Sequence, residues 1–217
     1  MSSAMFDLIL QATLETLYMV AVSGVIATLL GLPLGVMLYV TRPRQIMAMP
    51  VLNQALGVIT NIGRSIPFII LMVAIIPFTR MLVGTSIGIN AASVPLTIAA
   101  IPFVARLIEG ALNEISPGLI ESAQSMGATP WQIITKVLIP EARGGIITGL
   151  TITLVTLVSY SAMAGAVGGG GLGDLGIRYG YNRFNPEIML ITVVILVVLV
   201  QGFQSLGDYL VRKSDRK

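Results

Sequence analysis

The stretch ISPGLIESAQSMGATPWQIITKVLIP, residues 115–140, contains two helix-start signals in an otherwise very apolar chain. Ser116 before Pro117, and Thr129 before Pro130, each put a hydroxyl at an N-cap position and a proline at the first helical position. A proline there loses nothing, because its missing N–H would have had no partner inside the helix. The stretch therefore predicts two short consecutive helices.

The ends of these two helices are marked as well. Gln132 follows Thr129 by three residues and completes a capping box at the second start. Gly127 is expected to end the first helix in a left-handed cap, and Pro140 to end or kink the second. We predict a short helix, a hinge and a second helix, lying outside the lipid.

The first of the two helices is amphipathic and too short to be stable alone in water. It must pack on its own membrane domain or enter a groove on a second protein as an anchor. Its apolar residues are predicted to lie on one face and its polar residues on the other. The apolar face is Leu119, Ile120, Ala123 and Met126, and the polar face is Glu121, Gln124 and Ser125.

The composition identifies an integral membrane protein. The 217 residues are 55% hydrophobic and 11% charged, with a mean hydropathy of +0.90, whereas soluble chains carry roughly 25% charged residues. The net charge of +3 belongs to basic residues around the apolar segments, so nucleic acid is a poor partner. The absence of cysteine and histidine excludes disulfides, thiol chemistry and the usual zinc sites.

Five apolar segments predict an all-α protein with five transmembrane helices in a single domain, residues 1–217. No basic residue precedes Arg42, so the first segment is interpreted as an uncleaved span. Gly31 and Gly35 have the spacing of close helix packing, but with Pro33 between them we interpret the segment as an ordinary kinked span. The spans are residues 17–40, 51–78, 91–108, 146–167 and 188–206, the second of them interrupted by Asn61, Gly63, Arg64 and Pro67.

Positive charge orients these spans, because basic residues concentrate on the cytoplasmic side. The number of spans is odd, so the two termini face opposite sides of the membrane. The side that carries more Lys and Arg is predicted to be cytoplasmic. This gives a periplasmic N-terminus, a cytoplasmic C-terminus and a cytoplasmic loop at 116–140 between spans 3 and 4. The richer set is Arg42, Arg44, Arg106, Lys136, Arg143, Arg212, Lys213, Arg216 and Lys217, and the poorer set is Arg80, Arg178 and Arg183.

The charged residues near the spans argue against a self-driven carrier. Secondary transporters hold acidic or histidine side chains at mid-depth, whereas Glu15, Arg64, Arg106 and Glu109 all fall near predicted span ends. Arg106 and Glu109 are three apart on a helix and are expected to pair. Sodium can also bind to backbone carbonyls, so a channel or secondary carrier stays an alternative. Nothing in the chain is suited to hydrolysing ATP.

A glycine-rich segment at 164–176 matches the dinucleotide-binding fingerprint at Gly171, Gly173 and Gly176. The context of that fingerprint is missing, because the segment follows a membrane span instead of a strand. We interpret it as a close-packed turn at the outer end of a pathway, or equally as a plain external loop.

Three residues in the fourth span are candidates for contact with a solute. Tyr160 and Ser161 offer hydrogen bonds where lipid offers none, and Met163 is a flexible thioether that can fill or vacate a gap. The alternative is that all three pack between helices.

The 116–140 loop resembles the cytoplasmic EAA loop of ATP-binding-cassette importer permeases. That pattern is Glu-Ala-Ala, three residues, Gly, nine residues and Ile-x-Leu-Pro; here the spacing is intact, with substitutions at Ser122, Val137 and Ile139. Further blocks are similar to permeases of bacterial methionine importers over most of the chain. They are residues 39–43, 64–71, 76–80, 83–88, 118–121, 125–129 and 160–163.

The resemblance implies a non-catalytic inner-membrane permease that forms a homodimer with a pathway at its interface. It also implies two cytoplasmic subunits that bind ATP and Mg, and a periplasmic or lipid-anchored substrate-binding protein; the chain itself would hold no cofactor. Methionine, both enantiomers and some derivatives, is the implied substrate, with another amino acid or a small organic ion as the alternative.

The resemblance further implies which residues couple the permease to the ATPase. The partner would grip the helix from Leu119 to Met126, with Ala123 and Gly127 small enough to permit close approach. Glu121 would meet a basic or amide group in the groove, or else remain a solvated carboxylate.

Overall fold

The computed structural model describes residues 3–215, and within that range the chain is helical with no strand. Arg216 and Lys217 of the predicted basic set lie outside the described residues, as do Met1 and Ser2. The α-helices are α1 Ser3–Val40, α2 Pro50–Ser65, α3 Phe68–Ala74, α4 Ile76–Val83, α5 Ile89–Asn113, α6 Pro117–Ser125, α7 Pro130–Ile133, α8 Ile139–Glu141, α9 Arg143–Gly165, α10 Gly171–Leu175 and α11 Pro186–Asp215. Two π-helical segments, Ile134–Leu138 and Gly176–Tyr181, follow α7 and α10.

Four described helices are long and apolar enough to cross a membrane. The segments that meet the length and hydropathy required are Met5–Val40, Ile89–Asn113, Arg143–Gly165 and Pro186–Ser214. A fifth span results if α2 and α3, which are bent by 99° at their junction, count as one. The helix α1 begins at Ser3 and so extends well beyond the span predicted from residue 17.

The bend between α2 and α3 lies where the sequence predicts an interruption. Ile66 has an extended conformation with ψ of 122°, and Pro67 follows it at the N-cap of α3. A residue before proline is displaced from the helical region by the proline ring. The second apolar region is therefore a broken helix.

Close packing of α1 on α5 forms the centre of the bundle. A Cβ placed on Gly31 would lie 2.7 Å from Cβ of Val104, and one on Gly35 would lie 2.6 Å from the carbonyl oxygen of Ala105. Helices approach this closely only where the side chain is a hydrogen atom. The interpretation of this segment as an ordinary kinked span was wrong, because both glycines are contact residues.

The first helix of the 116–140 loop ends as predicted. Gly127 has φ of 78°, its N–H bonds the carbonyl of Gln124, and the N–H of Ala128 bonds the carbonyl of Ala123. These two bonds form a Schellman motif, which satisfies carbonyls at the end of α6. Ser116 has the extended backbone of an N-cap, but its side chain makes no capping hydrogen bond.

The second helix of the loop carries both predicted signals. Thr129 and Gln132 form the reciprocal capping box, with N–O distances of 3.3 and 2.9 Å. The helix widens to π geometry immediately before Pro140 and breaks at Ala142. Pro140 cannot donate to the carbonyl of Lys136, which explains the local distortion.

The loop packs against the end of the membrane bundle. Its buried side chains belong to the same apolar cluster as residues of α5, so the loop and the spans share one core. The members of this cluster at the junction are Val104, Ile108, Leu112, Ile115, Ile120, Ala123, Ile133 and Leu138.

The glycine-rich segment is a close-packed turn at the opposite end of the bundle. Gly168, Gly170 and Gly171 have positive φ, and a Cβ on Gly165 would lie 2.3 Å from the backbone nitrogen of Asp174. No larger residue fits there without moving the backbone. The interpretation as a plain loop was therefore wrong.

We expect Gly35→Ala to lower the stability of the protein by about 1–3 kcal/mol, since the added methyl group must displace backbone of α5. The midpoint of thermal unfolding in detergent measures this change. Gly110→Ala on α5 is the control: no atom lies within 4 Å of its Cβ position, so it should be neutral or slightly stabilising. Equal midpoints for the two variants would contradict the packing account.

Candidate functional site

A buried carboxylate, that of Glu109, lies where α1, α2 and α5 meet near the 116–140 loop. Glu109 on α5 is 4% exposed, and its Oε2 accepts from Nη1 of Arg106 at 2.5 Å. Its Oε1 accepts from Nη2 of Arg42, at the end of α1, also at 2.5 Å. The predicted Arg106–Glu109 pair is confirmed. Sequence reasoning did not predict the ion pair between Arg42 and Glu109, although it placed Arg42 and Arg106 on the same side of the membrane.

The two arginines extend the contact in different directions. Nη2 of Arg106 donates to the carbonyl of Gly57 at 3.0 Å and to Oδ1 of Asn61 at 2.8 Å, both on α2. Nη1 of Arg42 donates to Oδ1 of Asn113 at the end of α5. Because a buried carboxylate is costly unless it is paired, this arrangement holds α1, α2 and α5 in one relative position.

The apolar residues of α6 and of its C-cap Met126 lie on two surfaces, so the prediction of a single apolar face was wrong. Ile120 is 7% and Ala123 4% exposed, and both pack into the chain's own core. Leu119 is 41% and Met126 81% exposed. Ala123 therefore faces inward, which differs from the predicted contact with a partner: its small side chain lets α6 lie close to the bundle.

The outward surface of the loop is both polar and apolar. Glu121 and Gly127 are exposed, and no ion pair joins Glu121 to another side chain within residues 5–214. Trp131 is 71% exposed on α7. Sequence reasoning missed Trp131, although a lone tryptophan in a polar loop is a recognisable sign of a binding surface.

The three pathway candidates have different surroundings. Tyr160 stacks on Phe68 of α3, with ring centroids 4.5 Å apart and planes within 6° of parallel. Met163 is 47% exposed. Ser161 is 1% exposed and donates to the carbonyl of Val158 in its own helix. In this arrangement Met163 and Tyr160 are the less buried of the three, and Phe68, itself buried, supports the ring of Tyr160.

The glycine-rich segment does not offer its N–H groups to a phosphate. The N–H of Gly171 donates to Oε2 of Glu15 at 2.8 Å, and the N–H of Leu172 donates to Oγ1 of Thr16 at 2.9 Å. These bonds join α10 to α1. The described residues also bring together no group of three acidic, histidine or cysteine side chains that could hold a metal.

The sequence matches known proteins over most of its length. Residues 27–216 match the family described as "Binding-protein-dependent transport system inner membrane component". A probable D-methionine transport system permease protein MetI from Vibrio cholerae is 63% identical over 97% of this chain and 94% of that protein. The D-methionine transport system permease protein MetI of Escherichia coli is 58% identical over 76% of each chain.

Comparison with solved structures also finds chains of transporters. A chain from an inward-facing crystal form of the MetNI methionine ABC transporter superposes with a TM-score of 0.97 at 55% identity, over 99% of both chains. A chain of an amino acid ABC transporter crystallised with histidines superposes with a TM-score of 0.80 at 21% identity, which shows a shared fold alone.

The long apolar helices, the loop packed on their end and the match over residues 27–216 lead to one assignment. The chain belongs to the family of inner-membrane components of binding-protein-dependent transport systems, and it is a multi-pass permease of the inner membrane.

Proposed function

We propose that this chain is the permease subunit of an ATP-driven importer that moves methionine, as both enantiomers and close derivatives, into the cell. The observation that carries the proposal is the 55% identity and TM-score of 0.97 to a methionine transporter chain over 99% of both lengths. Membership of a binding-protein-dependent family does not favour the alternative of a self-sufficient carrier or channel.

In the proposed arrangement, residues 1–217 form one domain with five spans, a periplasmic N-terminus and a cytoplasmic C-terminus. The grouping of basic residues supports this orientation. Arg42 and Arg106 lie together at the end of the bundle that carries the loop, and Arg143 donates to the carbonyl of Ser214 near the end of α11. Such an accumulation of positive charge is typical of a cytoplasmic side.

The proposed assembly is a homodimer with two cytoplasmic ATPase subunits and a periplasmic or lipid-anchored binding protein. ATP and Mg would be bound by the ATPase, so this chain would be non-catalytic. The relation to the MetNI methionine ABC transporter supports an ATPase partner.

The proposed contact with the ATPase is the outward surface of α6. Leu119 and Met126 would enter an apolar groove, and Glu121 would meet a basic or amide group at its rim. Ala123 would set the distance of α6 from the bundle, and Gly127 would let the chain turn away without obstructing the partner. ATP binding would draw the two ATPases together, and the spans would follow.

The proposed pathway passes Tyr160 and Met163 at the interface between two copies. Ser161 remains a predicted pathway residue, and it would contribute only if its helix rotates, since its hydroxyl is bound within the helix.

Uptake by reconstituted protein tests the function directly. Proteoliposomes that contain this chain, its ATPase and the binding protein should accumulate radiolabelled methionine when ATP is present. Proteoliposomes with this chain alone should accumulate none. Accumulation by the chain alone would refute the proposal, and uptake of a different amino acid in preference to methionine would correct the substrate.

We expect Gly127→Trp to prevent co-purification with the ATPase or to uncouple ATP hydrolysis from uptake, because the ring would hold α6 away from its groove. Gly84→Trp is a matched control. Both glycines have φ of 78° and open space at their Cβ positions, so the backbone strain, about 1–2 kcal/mol, is the same. Normal uptake in Gly127→Trp, or equal loss of the ATPase in both variants, would contradict docking at this loop.

We expect Met163→Asp to lower methionine uptake strongly while the purified complex remains intact. A carboxylate in the pathway would be poorly solvated and would repel the carboxylate of a passing amino acid. Met163→Leu should keep most of the uptake, since it retains an apolar side chain of similar size. Unchanged uptake in Met163→Asp would remove this residue from the pathway.

A further inference from the structure

We propose that Arg106 is a positioning residue for transport: it transmits the movement of the 116–140 loop to α2 and, through the junction of α2 and α3, to Tyr160. The inference rests on the proposed function, because it assumes that the loop is moved by an ATPase. Arg106 itself lies outside both the coupling surface and the pathway.

The loop and the end of α5 are packed in one apolar core. Asn113 ends α5, and α6 begins four residues later at Pro117. Ile115 and Ile120 pack in one apolar cluster with Leu112. A close-packed core transmits displacement because it has little free volume to absorb it, so a shift of α6 reaches Glu109 and Arg106 on α5.

The helix α2 buries little apolar surface within this chain, and hydrogen bonds join it to α1 and α5. Thr60 is its one buried residue, and most of its apolar side chains are exposed. Arg106 joins α2 to α5 through Gly57 and Asn61, while Asn53 joins α2 to α1 by donating to the carbonyl of Leu38. Helices in lipid gain little from burying apolar surface against one another, so hydrogen bonds and close contacts determine their positions.

Glu109 fixes the side chain of Arg106 in this bridging position. The guanidinium donates through Nη1 to the buried carboxylate and through Nη2 to α2. Its planar fork of donors can serve two helices at once, which the single ammonium of lysine does not reproduce. Arg42, two residues beyond the end of α1, donates to the second carboxylate oxygen of Glu109 and so links this carboxylate to α1.

The helix α2 leads directly to the pathway candidates. Only Ile66 and Pro67 separate it from Phe68, whose ring lies on that of Tyr160 at 4.5 Å. A change in the position of α2 therefore changes the position of Phe68. Because the two rings are stacked, Tyr160 must shift or lose the contact.

The test compares two asparagines. Each accepts a hydrogen bond from one of the two arginines that pair with Glu109, and these three charged residues are called the Glu109 cluster. Asn61→Ala removes an α2 contact of Arg106, and Asn113→Ala removes a contact of Arg42 that does not involve α2. The full complex with ATPase and binding protein is reconstituted in proteoliposomes. The measured quantity is methionine accumulated per ATP hydrolysed.

We expect this ratio to fall about fivefold in Asn61→Ala, within the range by which mutations along a coupling network change coupling. It should fall further in Arg106→Lys, because lysine lacks the planar fork that reaches Glu109 and both α2 acceptors together. Asn61→Asp keeps an acceptor oxygen and should restore the ratio. Asn113→Ala should leave it unchanged.

An unchanged ratio in Asn61→Ala would overturn the proposal, as would an equal fall in Asn113→Ala, since the cluster would then act only on stability. If the Arg106→Lys complex does not assemble, the ratios measured for Asn61→Ala and Asn113→Ala still test the proposal. Failure of the proposed function is distinguished by the unsubstituted complex, which in that case would accumulate no methionine.

Discussion

The carboxylate of Glu109, buried between the guanidinium groups of Arg42 and Arg106, determines how three helices meet at the loop end of the bundle. A carboxylate removed from water at this depth requires compensating charge and hydrogen bonds. Both arginines supply them, and each also reaches a further helix position, at Asn113 or at Asn61. The same contacts that make the burial of Glu109 tolerable therefore fix α1, α2 and α5 relative to one another.

The opposite end of the bundle is held by different means. The glycine-rich turn brings α9 and α10 together, since a Cβ on Gly165 would lie 2.3 Å from the backbone nitrogen of Asp174. Glu15 and Thr16 of α1 accept from the first two N–H groups of α10. Within the hydrocarbon region of a membrane, backbone away from regular helix is tolerated only where protein or water satisfies its polar groups. The two ends of the bundle are thus held by different contacts, a close-packed turn at one end and an ionic cluster at the other.

In the proposed function, the 116–140 loop is the part of the chain that meets the ATPase. Its two helices are capped by their own residues, and its inner side chains belong to the core of the spans. Because Ile120 and Ala123 face inward, the outer surface that remains for a partner is Leu119, Met126 and polar residues such as Glu121. The loop and the spans thus share one apolar core, which is the packing that the proposed coupling to an ATPase requires.

The sequence by itself determined the membrane class, the helical fold, the caps at Gly127 and Thr129, the interruption before Pro67 and the likeness to importer permeases. These features depend on composition or on residues within a few positions of one another, which the sequence displays directly. The tertiary structure alone decided that Gly31 and Gly35 contact α5, that Arg42 shares Glu109, that Ala123 faces inward and that Tyr160 stacks on Phe68. The partners in the Arg42–Glu109 contact are 67 residues apart and those in the Glu15–Gly171 contact 156 apart, and such pairs become neighbours only when the packing of whole helices is set.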